Sequence, residues 1–379
     1  MPEPHRRIVA VDLYGTGIHP QSWRRQDSRA EDLFTADYWT GLIGQADSAG
    51  VDLAFVGDSF AIATTGHADQ RGQLDAVAIT ARAVASTERI GLVPTVTVTH
   101  TEPFHVSKAI ASLDHASGGR AGWQVDVSSG QVQADLFGRK DAQDAESLWA
   151  EAADAIEVVG LLWDSWEDDA EIRDVATGRF IDRDKLHYID FEGDHFTVKG
   201  PSITPRSPQG QSLIVIGARD EHSTRIAAAR ADVIRIAAPT VDAARDLAVR
   251  VRRAAAEAGR RDPATLRILL DVEVVIAETA DAAERDLAQL ENWSDARYEP
   301  ASVLYRGDAP GLARLITDVT ATGDVDGVTL RPLALQSGLD AIAGHVLPLL
   351  RSQDPAPGGG LLRERLGFTR PANRFAGQD

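Results

Sequence analysis

The chain has 379 residues, 43% of them hydrophobic, with 39 Lys and Arg against 57 Asp and Glu, for a formal charge of −18. That acidity argues against nucleic acid and anionic membrane surfaces as partners. The absence of cysteine excludes disulfides, thiolate catalysis and thiolate metal sites.

The N-terminal stretch MPEPHRRIVAVDLYG lacks the apolar core of a signal peptide, and no apolar run approaches a membrane span. A cytoplasmic location is the expectation. The first strand is predicted at 7–13, followed by a helix at 36–49, a strand at 51–56 and a helix at 74–85. A strand at 91–98 leads into a helix at 103–116, where Val106, Ile110 and Leu113 recur at helical spacing. Gly118 and Gly119 supply the positive φ that ends such a helix. The run 121–127 then reads as a buried strand carrying Gln124. The GGRAG stretch at its start precedes a strand instead of following one, so it is not a dinucleotide fingerprint.

Next comes a long helix at 146–162. The polar segment 163–211, punctuated by Gly and Pro, reads as an insertion with a small hairpin or two near 188–191 and 195–198. Strands at 213–216, 233–237, 266–276 and 327–330 alternate with helices at 223–230, 243–258, 282–290, 311–321 and 339–350, and 292–308 is expected to be irregular. The tail, 352–379, is Pro/Gly-rich and then Arg-rich; it is expected to wrap the surface or a neighbouring copy of the chain. Eight mostly continuous apolar strands separated by helices predict one α/β domain spanning 1–379, a closed (β/α)8 barrel with insertions; the runner-up is an open doubly wound sheet.

In such a barrel the C-terminal strand ends hold the site. Here they present Asp12, Asp58, Thr97, Thr99, His100, Gln124, Asp126 and Ser128, then Gly217, Ala218 and Arg219. Hydrogen-bonding groups dominate, and no nucleophile–base pair stands out, so the set suits positioning of a cofactor and a small substrate better than a hydrolytic triad. Asp58 is either a carboxylate facing a ligand or a helix cap. Gly217 lies between a strand and a helix start, an arrangement that binds anions, and Arg219 offers a contact to phosphate. His100 and Gln124 are the candidates for a direct part in chemistry. The histidines show no metal-ligand spacing, so no metal is expected.

The stretch TEPFHVSKAIASLDHASGGRAGWQVDVSS, from Thr101 to Ser129, resembles the bacterial-luciferase-like flavin-dependent monooxygenases. Within them it is most similar to the branch of nitrilotriacetate monooxygenase, pristinamycin synthase and dibenzothiophene-sulfone monooxygenase. LLWDSWEDDA, DRDKLHYIDFEGDHFTVKGP, SPQG, VDGVTLRP and LRERLGFTRPANRFA extend the resemblance over nearly the whole chain in order. It implies a TIM barrel, usually a homodimer or homotetramer. It also implies reduced FMN (FMNH2), supplied by a separate flavin reductase, that reacts with O2 to a flavin peroxide or hydroperoxide and oxygenates a small organic substrate.

Carried over residue by residue, Asp58 sits at the acidic position near the flavin ring, and Thr97 and Thr99 fall in the Ser/Thr cluster beside it. Gln124 replaces an Asn, and Ser128 matches the Ser of a Thr-Ser pair. Gly217 and Ala218 match the start of the phosphate loop, where Arg219 replaces a Ser. The family's His and Tyr ahead of the long helix fall on Ala145 and Trp149; Trp149 is retained as a cofactor contact. A deazaflavin-dependent oxidoreductase on the same barrel, or a non-catalytic flavin-binding homologue, are the alternatives.

Overall fold

The structure, a computed structural model, describes residues 6–60, 72–260, 265–294, 296–352 and 358–377. Eight parallel strands close into a barrel: β1 (Ile8–Leu13), β2 (Leu53–Val56), β3 (Gly91–Thr97), β4 (Gly122–Asp126), β9 (Leu213–Ala218), β10 (Val233–Ile236), β11 (Arg267–Ile276) and β13 (Gly327–Pro332). Closure comes from the pairing of β1 with β13 and of β10 with β11. These are the eight runs read as strands from the sequence, and the (β/α)8 barrel stands.

Around them lie α1 (Ala36–Ala49), α2 (Ala76–Ala83), α3 (Pro103–Ser117), α4 (Gln131–Phe137), α5 (Ala145–Asp164), α6 (Glu221–Arg230), α7 (Val241–Glu257), α8 (Ala280–Ser294), α9 (Ala309–Val319), α10 (Leu335–Ala341) and α11 (Leu347–Arg351), with α12 (Leu362–Arg365) in the tail. Strand side chains alternate between two environments. Val9, Val11 and Leu13 of β1 pack outward against the helices, whereas Ile8 and Ala10 point into the barrel with Leu53, Phe55, Val93, Val215, Val233 and Leu269.

Two expectations need correction, those for 292–308 and for the tail. The segment 292–308 is not wholly irregular: Val303–Gly307 forms β12, parallel to the second half of β11. β11 runs ten residues; its first four pair with β10, and the overhang beyond them templates β12. A five-residue run with Tyr305 and Arg306 in it is too short and too polar to announce itself. The insertion carries the hairpin expected near 188–198, as β7 (Phe191–Glu192) with β8 (Thr197–Val198), and a second, earlier one, β5 (Glu171–Asp174) with β6 (Arg179–Ile181). The tail does more than wrap a surface. Leu362, Leu366 and Phe368 join the inward residues and plug the N-terminal end of the barrel; residues 353–357 and 378–379 of that tail lie outside the described set. Burying each such side chain contributes about 1.5–3 kcal/mol.

The signature stretch explains how the plug is held. Gly118 and Gly119 have φ of 65° and 89°, and a Cβ on Gly119 would collide with Leu361. Asp114 accepts from the Ala121 amide at 3.1 Å and from Gln209 Nε2 at 2.6 Å; Gln209 in turn accepts from the Arg363 amide. Arg120 donates to Ile90 O and Thr87 O. Asp114 and Arg120 therefore brace the fold at the end of the barrel remote from the strand C-termini.

Candidate functional site at the C-terminal mouth of the barrel

The inward parity that puts Ile8 and Phe55 in the barrel core puts Asp12, Thr95, Thr97, Gln124, Gly217, Arg235, Asp271, Glu273 and Arg331 in its upper layers. Asp12, Thr95, Gln124, Arg235, Asp271, Glu273 and Arg331 are linked side chain to side chain into a polar floor under the mouth. Arg235 is its centre. It donates to Asp12 Oδ2 at 2.7 Å, to both oxygens of Asp271 at 2.9 and 3.0 Å, and to Gln124 Oε1 at 2.8 Å. Its guanidinium also lies over the Phe55 ring, 4.6 Å from the centroid. Gln124 Nε2 donates to Thr95 Oγ1 at 3.0 Å.

On the other side, Arg331 Nε donates to the same Asp12 oxygen at 3.0 Å, and its Nη1 reaches Glu273 Oε1 at 3.4 Å. Tyr298 closes the row by donating to Glu273 Oε2 at 2.9 Å. Burial works to raise the Asp12 pKa, but Arg235 and Arg331 outweigh it and hold the carboxyl below its ordinary value. Burial raises Glu273, against the opposing hydrogen bond from Tyr298. Tyr298 itself is raised by burial and by Glu273.

The residues expected at the site are brought to one end of the barrel but do different things. Thr97 is 5% exposed, and its Oγ1 is buried with no hydrogen-bond partner. It lines a cavity of about 300 Å³ with Asp58, Ser59, Phe60, Thr95 and His105. Thr99 Oγ1 accepts from the Ser128 amide at 2.9 Å, which ties the loop after β3 to the loop after β4. Asp58 borders the same cavity and also accepts from the Ala76 amide in the first turn of α2 at 2.9 Å and from Gln73 Nε2 at 2.6 Å, while the N-cap of α2 is Asp75. Burial raises its pKa against those bonds. Asp58 thus combines features of both sequence readings, a bond to a helix-start amide and a place on the cavity wall.

His100 stacks on Phe137, with ring centroids 4.6 Å apart and an interplanar angle of 13°, and Phe60 meets Phe137 edge-on. Both ring nitrogens of His100 are buried without partners, and burial followed by nearby Lys140 lowers its pKa. Lys140 is itself clamped by both oxygens of Glu151. Trp149 is buried in the apolar core beneath α5. Gln124 has its amide oxygen and nitrogen both engaged, so it belongs to the floor.

The turn between β9 and α6 is distinctive. Asp220 caps α6: its Oδ1 accepts from the Ser223 amide at 2.7 Å and from Ser223 Oγ at 2.8 Å. The Ser223 amide, one of the N-terminal donors that an anion would seek, is thus met by the chain's own carboxylate. Ala218 ends β9 with its side chain in the outer apolar core, and Gly217 keeps the inner face of the strand clear. Arg219 is 62% exposed on its side chain and grips Asp126 through Nη1 at 2.9 and 3.1 Å. It is the cation that this turn offers.

The luciferase-like monooxygenase model matches residues 15–327. The chain belongs to that family. N-acetyl-S-(2-succino)cysteine monooxygenase of Bacillus subtilis (strain 168) is 34% identical to it, over 97% of this chain and 98% of that one. Nitrilotriacetate monooxygenase component A of Aminobacter aminovorans is 33% identical over 77% of this chain and 65% of its own length. Among solved structures, long-chain alkane monooxygenase superposes with a TM-score of 0.87 over 96% of this chain and 95% of that one; at 21% identity the likeness is one of fold. This luciferase-like monooxygenase is thus an enzyme whose barrel mouth is floored by ion pairs.

Sequence reasoning missed Arg235, Asp271, Glu273, Arg331 and Tyr298. A signal was present for the first four. Charged residues interrupt the apolar runs VIRI, LLDVEVV and VTLRP at the parity that points inward. Tyr298 lies outside any strand, so only the fold could place it.

Proposed function

We propose that this protein is a flavin-dependent monooxygenase of the two-component type, using reduced FMN from a separate reductase and O2 to oxygenate a small organic substrate at the C-terminal mouth of the barrel. The observation that carries the reading is the Thr97 hydroxyl, buried and unpartnered on a residue that borders a cavity of about 300 Å³ in a barrel of this family. An orphaned buried hydroxyl costs about 1–3 kcal/mol unless a ligand satisfies it.

The residues at the mouth fit a flavin with one reassignment. Thr97 and Ser128 would meet the ring side, and Gly217 leaves room beside β9. The phosphate would fall to Arg219, exchanging its Asp126 partner, because Asp220 already takes the Ser223 amide at the α6 N-terminus. A bound reduced flavin supplies the electrons that activate O2. The chain's own part is to orient: the floor of Gln124, Arg235, Asp12 and Asp271 is fully cross-bonded and so presents a rigid polar surface.

The relatives' names include nitrilotriacetate, dimethyl-sulfide and dibenzothiophene-sulfone monooxygenases, so membership speaks to the reaction class and not to the substrate. The Asp220 cap favours a second reading, a deazaflavin-dependent oxidoreductase whose cofactor is anchored elsewhere. Anaerobic titration of the purified protein with reduced and oxidised FMN decides: micromolar binding supports the monooxygenase, and no binding of either form at high micromolar concentration overturns it. Hydride transfer from a reduced deazaflavin without O2 consumption would favour the second reading.

A further inference from the structure

We infer that Arg331 is the substrate-recognition residue of the mouth and that it takes a carboxylate group of the substrate. This deepens the monooxygenase reading and rests on it for the identity of the site.

Three observations carry it. First, Arg331 lies at the C-terminal end of β13 on the inward face, and its side chain is 24% exposed, whereas Arg235 beside it is 7% exposed. Second, the two guanidinia are used differently. Every nitrogen of the Arg235 guanidinium donates to Asp12, Asp271 or Gln124. Arg331 commits Nε to Asp12 and only a long 3.4 Å contact from Nη1 to Glu273, and its Nη2 has no partner among the described residues. Nη2 is not a buried orphan, so it opens to the mouth.

Third, Asp12, Asp271 and Glu273 keep Arg331 cationic, but its hydrogen bonding is incompletely answered. The Asp12 oxygen it uses is shared with Arg235, Asp271 is 3.9 Å away, and Glu273 already accepts from Tyr298 and from the Ala301 amide. A guanidinium oriented from behind by two carboxylates, with its remaining edge free, is pre-organised for a planar, two-oxygen anion. Holding it in place beforehand removes much of the ordering cost that a free arginine would carry on binding. Tyr14, whose ring lies against Gly57 and whose hydroxyl is raised in pKa by burial and by Asp12 and Asp58, stands at the same rim as a neutral donor.

The test uses the full-length, flavin-free protein and isothermal calorimetry with succinate, citrate and N-acetylglycine as probes. Succinamide serves as the uncharged control and sulfate as the tetrahedral one, all at matched ionic strength. Millimolar or tighter binding of at least one carboxylate, absent for succinamide, is expected. Arg331→Gln should weaken that binding about tenfold or more, and Arg331→Lys should restore part of it.

Circular dichroism and thermal melting report whether the variants fold, and the comparison of succinate with succinamide on the unaltered protein needs no variant. Failure of all three carboxylates, equal binding of succinamide, sulfate binding as tight as succinate, or unchanged binding in a folded Arg331→Gln would each overturn the inference. The FMN titration is independent of these outcomes. Flavin binding without carboxylate binding removes this inference and leaves the monooxygenase reading; carboxylate binding lost in Arg331→Gln without flavin binding keeps the anion site and removes that reading.

Discussion

Arg235 Nη2 and Asp12 Oδ2 meet at 2.7 Å inside the barrel, although β10 and β1, which carry them, are separated in the sheet by β11 and β13. The pair is buried on both sides, and Arg235 at once binds Asp271 and Gln124. Removing one partner of such a pair strands the others in a medium that solvates them poorly. Arg235→Leu should therefore destabilise the protein by about 3–5 kcal/mol, measured by urea unfolding at pH 7. A loss below about 1 kcal/mol would mean that the floor relaxes or hydrates freely.

The same pair sets a pH dependence. The folded Asp12 carboxyl lies below its ordinary value of 3.8 because the two guanidinia outweigh burial. The stabilisation is thus present above that unfolded value and is lost as pH falls through the folded one. Asp12→Asn should be less stable than the unaltered protein at pH 7, with the gap closing as pH drops below about 4. A gap independent of pH would show that Asp12 acts only through packing.

Thr97→Val replaces an orphaned hydroxyl by a methyl of nearly equal volume. Stability should stay the same or rise by up to about 1 kcal/mol. Flavin affinity should fall, read by fluorescence quenching on anaerobic titration. Unchanged affinity would remove Thr97 from the ligand contacts.

Arg219→Ala should lower the affinity for FMN about tenfold and leave riboflavin binding nearly unchanged, since only the phosphate meets that cation in the proposed arrangement. Asp126→Asn, which releases Arg219 from its ion pair, should act in the opposite direction and raise the FMN-to-riboflavin affinity ratio. An equal loss for both flavins in Arg219→Ala would place the phosphate elsewhere.

At the far end, Leu366→Ala should cost about 2–5 kcal/mol by opening a cavity in the plug. Flavin affinity should not change, because Leu366 packs with Ile8, Leu53 and Leu213 at the base of the strands. A melting temperature equal to that of the unaltered protein would mean that the tail does not seal the barrel.

Much was legible in the sequence. The eight barrel strands are continuous apolar runs because helices cover one face and the barrel core the other, and covered strands need no alternation. Thr97, Gln124, Ser128 and Gly217 could be placed at the mouth because they end such runs. What Asp58 does was not legible. The same carboxylate can face a ligand or bond a helix-start amide, and only the tertiary structure brought the Ala76 amide to it at the edge of a cavity. The helix read at 223–230 looked ordinary, and the consequence for an anion at that turn appears only when the Ser223 amide is seen to be spent on Asp220.

The chain's own pattern determined the fold, its lineage and the end of the barrel where chemistry belongs, because hydrophobic period and turn residues act over short distances along the sequence. Tertiary structure alone decided who pairs with whom. Asp12, Gln124, Arg235, Asp271, Glu273 and Arg331 are separated by up to 319 residues and come within hydrogen-bonding reach only when the sheet closes. Which guanidinium is spent and which keeps a free edge follows from that closure, since the strength and direction of each ion pair depend on distances that no local pattern encodes.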